Sequence, residues 1–247
     1  VIYQLNVFIR LCHTSDVSIN KSRPSWFDRE NILRKMLNNF CRQKWPFDTI
    51  YIVYDSNRGE MKPYMKNIIE EFKDKIYKVI EINGGTEAKA FQLLLREIIN
   101  ETSNLEKSEK DETMIYIVED DYVHMPNALD YIRDGLKISA YVSLYDHPDK
   151  YTILYQNLRS QLVLGGKSVW RTTPSTTNTF ACTLKTLRED LDVHMKYSDG
   201  HILCTRDHEK FIELGKKGRP IITPIPSRAT HVENGVMAFS EEPWELV

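Results

Sequence analysis

A chain of 247 residues with 33 basic and 35 acidic side chains carries a net charge of -2, which gives no general attraction to nucleic acid and leaves only a local basic cleft open. Hydrophobic residues at 41% and charged residues at 28% exclude a disordered chain and suffice for one large domain with a real core. No run is apolar over the length of an integral membrane segment, and Cys12, Cys41, Cys182 and Cys204 form no close pair, which reads as free thiols in a reducing compartment.

The chain opens on VIYQLNVFIRL, already strand-like and without Met, so an excised domain or a processed start is the expectation, with further domains outside the fragment left open. Gln4 to Leu11 suits a buried strand. A helix follows, capped by Ser25 or Asp28, with Ile32, Leu33, Met36, Leu37 and Phe40 on one face. TIYIVYD is a second strand ending at Asp55, and a helix from about Pro63 buries Met65, Ile68, Ile69 and Phe72. IYKVIEI is a third strand, stopped by Asn83-Gly84-Gly85, and Phe91, Leu94, Leu95, Ile98 and Ile99 mark a third helix. After the charged loop SNLEKSEKDE come a fourth strand, MIYIV, and a fourth helix, PNALDYIRDGL. Beyond Tyr141, VSLYDHPDKY and YTILYQ read as short strands around a turn, and the segment to about Phe180 as irregular. TLKTLREDL and DHEKFIELGKK read as helices, and RPIITPIP as a strand and rigid turn before His231.

Four strand–helix units in a row imply a mostly parallel sheet covered on both faces, with ligands at the carboxyl ends of its strands. Three of those ends carry DSNRG, NGGTE and EDDY, and they should converge on one cleft. Glu119, Asp120 and Asp121 side by side repel and resist burial unless water, donors or a cation offset them. A hard cation, Mn2+ or Mg2+, suits aligned carboxylates at a strand end; a solvated acidic turn is the alternative. Asp121 is the preferred ligand and Asp120 a ribose or water-bridging partner, with Glu119 facing the other way along the strand. Asp55 accepts from a base edge or ribose, or else caps a turn. Asn83, Gly84 and Gly85 let backbone approach a ligand and aim the next helix at a phosphate, or make a tight turn. Arg10 and Thr14, at the first strand's end, join the donor side. No GxGxxG or GxxxxGK[ST] occurs, which removes the main sequence support for dinucleotide binding and P-loop hydrolysis.

These features together resemble the nucleotide-sugar-dependent glycosyltransferases of the GT-A fold, especially the inverting family 2-like enzymes. The resemblance rests on the strand–helix series, Asp55, the Asn83-Gly84-Gly85 turn with Ala88 beyond it, and VEDDYVHMPNAL, whose EDD is similar to the fold's DxD motif. It covers roughly the first 140 residues well and the rest loosely. It implies an α/β, GT-A-like three-layer sandwich with a mostly parallel central sheet. Residues 1–140 would form the nucleotide-sugar-binding half of a single domain, and residues 141–247 an acceptor-side elaboration. It also implies a divalent cation on Asp121, Asp120 near the donor ribose, and a His ligand late in the chain, which His231 fits. A carboxylate base is implied at the start of an acceptor-side helix. Asp207 in TRDHEKFIELGKKGR matches best, although an Arg-Asp pair stands where relatives carry two acids, and Asp199 in YSDGH is its rival. Both could simply cap turns or the helix. Lys167 and Trp170 in GGKSVWRTT are expected at the diphosphate or the acceptor sugar, with a solvated Lys and a core Trp as alternatives. Polymer-synthesising relatives' QxxRW is absent, which disfavours processive synthesis.

The expectation is a metal-dependent inverting glycosyltransferase that moves a sugar from a nucleoside-diphosphate sugar, UDP-sugar favoured, to a hydroxyl of a carbohydrate or glycoconjugate acceptor. Its expected location is cytoplasmic, with peripheral membrane association left open. A nucleotidyltransferase forming a nucleotide sugar shares the sheet and carboxylates, but RLCHTSDVSINKSR offers a triphosphate only Arg10, Lys21 and Arg23. A noncatalytic sugar-binding module would explain the aromatics and carboxylates without a base.

Overall fold

Alternation along the first strand creates two cores. Leu5, Val7, Ile9 and Leu11 enter one apolar cluster, and Phe8 enters the other on the opposite face of the sheet. The computed structural model describes residues 4–14, 20–103 and 112–247; most of the expected charged loop, residues 104–111, lies outside them. Among the described residues, the first half contains β1 (Leu5–Cys12), α1 (Arg29–Gln43), β2 (Thr49–Asp55), α2 (Pro63–Glu71), β3 (Lys78–Ile82), α3 (Glu87–Glu101), β4 (Met114–Glu119), β5 (Tyr122–His124) and α4 (Ala128–Leu136). The second half adds β6 (Tyr141–Val142), β7 (Leu162–Gly165), β8 (Ser168–Thr173), β9 (Phe180–Thr183), α5 (Leu184–Glu189), α6 (Leu191–Lys196), α7 (Asp207–Lys216), β10 (Ile221–Ile225) and β11 (Ala229–His231).

Nine strands form one sheet in the order β3-β2-β1-β4-β9-β6-β10-β8-β7. β1 to β4 pair in parallel, β6 pairs in parallel with β10, and only β8 and β9 run against the common direction. The fold is therefore α/β with a mostly parallel sheet, as expected. Helices α1, α2 and α4 cover one face, and α3, α5, α6 and α7 the other, which makes three layers. Strands from beyond Tyr141 continue the same sheet. A separate antiparallel pair, β5 with β11, sets His231 opposite Tyr122, next to the carboxylate run.

Local chemistry explains the element ends. Asp28 caps α1 by accepting from the amides of Glu30 and Asn31, at 3.0 and 3.3 Å, so it, not Ser25, starts that helix. Thr86 caps α3 through the Lys89 amide at 3.1 Å. Two expectations for the second half fail. Pro148–Tyr151 and Ile153–Tyr155 are 3-10 turns instead of strands, because His147 and Pro148 start a turn whose amides bond three residues back. The stretch read as irregular contains the β7–β8 hairpin, turned at Gly166 with φ of 58°.

Asp48 ties the amino ends of two strands and α4 together beneath the sheet. Its carboxylate accepts from the amides of Leu5 and Trp45, at 2.9 and 2.6 Å, and pairs with Arg133, which stacks over Trp45. Both charged partners are almost fully buried. Asp48→Ala would strand the guanidinium and two amides, so urea unfolding should show a loss of about 3–5 kcal/mol. Asp28→Ala, which removes a solvated cap, should cost only about 1 kcal/mol.

Candidate active site

The carboxyl ends of β1, β2, β3 and β4 wall a cleft of about 830 Å³, lined among others by Arg10, Thr14, Asp55, Gly85, Glu87, Glu119, Asp120 and Asp121. Parallel pairing puts them level, with Cys12 beside Asp55 and Arg10 beside Glu119. Cys12 also lines the cleft, but burial pushes its thiol up to about 11, so it is inert as a nucleophile.

Asp55 is 8% exposed, and its carboxylate is spent on backbone. One oxygen accepts from the amides of Asn57 and Gly84, at 3.2 and 2.9 Å, and the other from Gly85 at 3.1 Å. Asp55 thus fastens the Asn83–Gly85 turn to the end of β2. Asn83 faces the same junction, its side-chain oxygen accepting from Asn57 Nδ2 at 2.5 Å. The glycines have packing reasons of their own. A Cβ on Gly84 would lie 2.7 Å from the backbone of Ala90 in α3, and Gly85 has φ of 85° with Asn57 Oδ1 2.7 Å from a would-be Cβ. The turn and the amino end of α3 still face the cleft, where backbone N–H groups and the helix dipole favour an anion.

Each carboxylate of the acidic run has its own partner. Glu119 pairs with Arg10 at 3.0 Å, and Asp120 with Arg29, the first residue of α1, at 3.0 Å. Asp121 takes Arg23 at 2.7 Å and the His231 imidazole at 3.0 Å, with the Lys21 ammonium at 3.7 Å. Burial raises the Glu119 carboxyl despite Arg10, and pushes Asp120 up to about 6 against the pull of Arg29. Burial opposes ionisation of Asp121 too, but His231, Lys21 and Arg23 more than offset it and hold that carboxyl well below its ordinary range. Adjacent carboxylates are driven in opposite directions by their neighbours.

A divalent cation would find an oxygen and a nitrogen at Asp121 Oδ2 and His231 Nε2, 3.0 Å apart. That mixed pair suits Mn2+ better than Mg2+. Such ions commonly take one or two protein ligands and complete their shell with phosphate and water. Among the described residues no group of three or more His, Cys, Asp and Glu side chains converges as a metal cage. The residues fit an ion shared with a ligand.

On the other wall, Arg10 reaches Glu87 at 3.3 Å, and Glu87 accepts from Asn178 at 2.8 Å and the Thr205 amide at 2.7 Å. Thr205 Oγ1 donates to Asp207 Oδ1 at 2.7 Å, and Lys210 donates to the same oxygen at 3.2 Å. Lys210 is fully buried among Phe91, Phe180 and Phe211 and also bonds Asn178. Burial raises the Asp207 carboxyl, with Lys210 opposing, and lowers the Lys210 ammonium, with Asp207 opposing. In Glu87 burial is outweighed by Arg10 and the Thr205 and Asn178 donors, and the carboxyl falls below its usual range. This chain links Glu119 at the strand end to Asp207 at the start of α7.

Three sequence candidates sit elsewhere. Trp170 is fully buried, donates to the Gly165 carbonyl at 2.9 Å and packs against Tyr131, so no ring face is left for a sugar. Lys167, in the β7–β8 turn, pairs with Asp130 of α4 at 2.8 Å on the outside of the sheet. Asp199 is exposed and accepts from the His201 amide at 3.1 Å, capping its own turn. Sequence reasoning missed Arg29, Glu87, Asn178, Thr205 and Lys210 as members of the site. Glu87 and Arg29 had a legible signal, as first-turn residues of helices that begin just after strand ends.

In comparisons with solved structures, the chain is similar to S. aureus TarS 1–349 in complex with UDP, with a TM-score of 0.48 and 13% identity over 89% of this chain and 57% of that one. A second S. aureus TarS structure matches with a TM-score of 0.48 and 13% identity over 89% and 35%. CMP:2-keto-3-deoxy-manno-octonic acid synthetase complexed with CTP matches with a TM-score of 0.47 and 10% identity over 89% and 88%. This chain therefore spans little more than half of TarS 1–349. No protein-family model matches it, and neither does a curated protein.

Removing the Asp55 carboxylate should loosen the Asn83–Gly85 turn, because two or three buried amides lose their acceptor at about 1–3 kcal/mol each. Hydrogen exchange of Asp55→Ala should show faster exchange confined to residues 83–86, with the strands of the sheet unchanged.

Proposed function

We propose that the chain is a nucleotide-sugar-dependent glycosyltransferase, metal-dependent and inverting, with the donor in the cleft at the ends of β1 to β4. The observation that carries this reading is the meeting of Asp121 and His231, separated by 110 residues in sequence, at 3.0 Å beside that cleft. Asp121 lines the same cleft as the amino end of α3. On this reading the Asn83–Gly85 turn holds the nucleoside, Asp120 orients the ribose, and the amino end of α3 receives the diphosphate. Asp121 and His231 would hold Mn2+ or Mg2+, which when bound neutralises charge on the departing diphosphate.

Asp207 is the proposed base. Thr205 and Lys210 both address Oδ1, which fixes the carboxylate and leaves Oδ2 to accept the acceptor hydroxyl's proton. Direct displacement needs no protein nucleophile, and the cleft-lining thiol is inert. The acceptor hydroxyl would be carbohydrate or glycoconjugate, and its proton leaves as the glycosyl bond forms.

The test is release of nucleoside diphosphate from a panel of nucleotide sugars with and without Mn2+. Metal-stimulated diphosphate release supports the reading. Release of pyrophosphate from a nucleoside triphosphate and a sugar would instead show a nucleotidyltransferase. Calorimetry should find UDP binding strengthened by Mn2+ in the wild type and unresponsive to Mn2+ in Asp121→Asn.

The base makes a pH prediction. Only the ionised Asp207 accepts a proton, so kcat/KM should fall as pH drops through its pKa, which lies above the usual carboxylate range. Lys210 opposes that rise, so Lys210→Met should push the pKa further up and move the acidic limb to higher pH. Asp207→Asn should bind UDP normally and lose transfer by about 100-fold or more.

A further inference from the structure

We propose that Lys21 is a built-in competitor of the divalent cation: its ammonium stands beside His231 and Asp121, the two side chains assigned to the cation, and leaves when Mn2+ or Mg2+ enters. This rests on the metal-dependent reading above and concerns how that site is regulated.

The position of the Lys21 ammonium against both assigned ligands carries the inference. His231 Nδ1 lies 3.3 Å from Glu233 Oε2, and its Nε2 lies 3.0 Å from both Asp121 Oδ2 and the Lys21 nitrogen. An ammonium carries only donors and positive charge, so Lys21 and a divalent cation compete for the same pair of side chains. Lys21, at 3.0 Å from the nitrogen and 3.7 Å from the oxygen, puts a positive charge where a divalent ion would have to enter.

Its hold there is exchangeable. His231 and Asp121 are the ammonium's partners, whereas Arg23 also donates to the Val232 carbonyl and stays on Asp121 when Lys21 leaves. Lys21 lines the cleft, so a displaced ammonium on its flexible stem moves toward the space assigned to the donor diphosphate. Entry of the metal thereby delivers a second positive charge to the leaving group.

Mn2+ titration without nucleotide, read by the electron paramagnetic resonance of free Mn2+, tests this. Lys21→Met keeps the stem and loses the charge, and should bind Mn2+ about tenfold more tightly than the wild type, while Lys21→Arg should match the wild type. Binding by Lys21→Met alone, with none measurable in the wild type, supports the proposal equally. Binding by the wild type that is unchanged or weakened in Lys21→Met overturns it and leaves the metal site standing. Absence of Mn2+ binding in both proteins, with UDP still bound, overturns the metal reading and the competition together. In the wild type, acetic anhydride labelling of Lys21 followed by mass spectrometry should rise on adding Mn2+. Unchanged labelling under saturating Mn2+ contradicts displacement.

Discussion

Negative charge buried at the end of a parallel sheet is the constraint around which this molecule is arranged. Glu119, Asp120 and Asp121 follow one another where β4 stops, and Glu87 approaches from α3. Left alone they would take up protons or force the loop into water. Each instead faces a cation drawn from a different part of the chain: Arg10 from β1, Arg29 from α1, and Lys21 and Arg23 from the segment between them. Breaking any of these pairs exposes a buried charge, so the pairs also fix how the elements meet. A charged ligand can enter such a site by rearranging existing pairs, with no need to create a pocket.

The pairs divide the cleft into two sides. On one, cations dominate around Asp121 and keep it ionised, the state a metal ligand requires. On the other, burial dominates around Asp207 and makes it more basic than an ordinary carboxylate. Arg10 connects the sides by touching both Glu119 and Glu87. In the proposed glycosyl displacement the first side would stabilise negative charge on the donor and the second would accept the acceptor's proton.

Much of the first half was legible because its elements are periodic and end in strong signals. TIYIVYD and MIYIV form strands as read, Asp28 caps α1, and the polar strand ends converge as parallel pairing requires. His231 could be singled out by its place after a strand, but its approach to Asp121 depends on β5 pairing with β11, which no local pattern encodes. The second half was harder. The β7–β8 hairpin has few apolar alternations and pairs at the sheet edge, so the sequence leaves Lys167 and Trp170 open between a ligand site and a solvated Lys with a core Trp, and the structure makes them a turn residue and a core ring. Lys210 illustrates the same limit: a lysine in a helix normally reads as solvated, and only the tertiary meeting of three phenylalanines with Asn178 and Asp207 buries it. Asp55 at its strand end could read as a ligand contact or a turn cap, and two glycine amides claim its carboxylate for the turn.

The central claim is that Asp121 and His231 form a cation site serving a nucleotide in the neighbouring cleft. Its most direct test is a crystal structure grown with Mn2+ and UDP, with the metal located by its anomalous scattering. The account predicts a peak bonded to Asp121 Oδ2, His231 Nε2 and the diphosphate, with the nucleoside against the Asn83–Gly85 turn. Manganese bound elsewhere, or UDP in the cleft with Lys21 still beside the imidazole and the carboxylate, would contradict it.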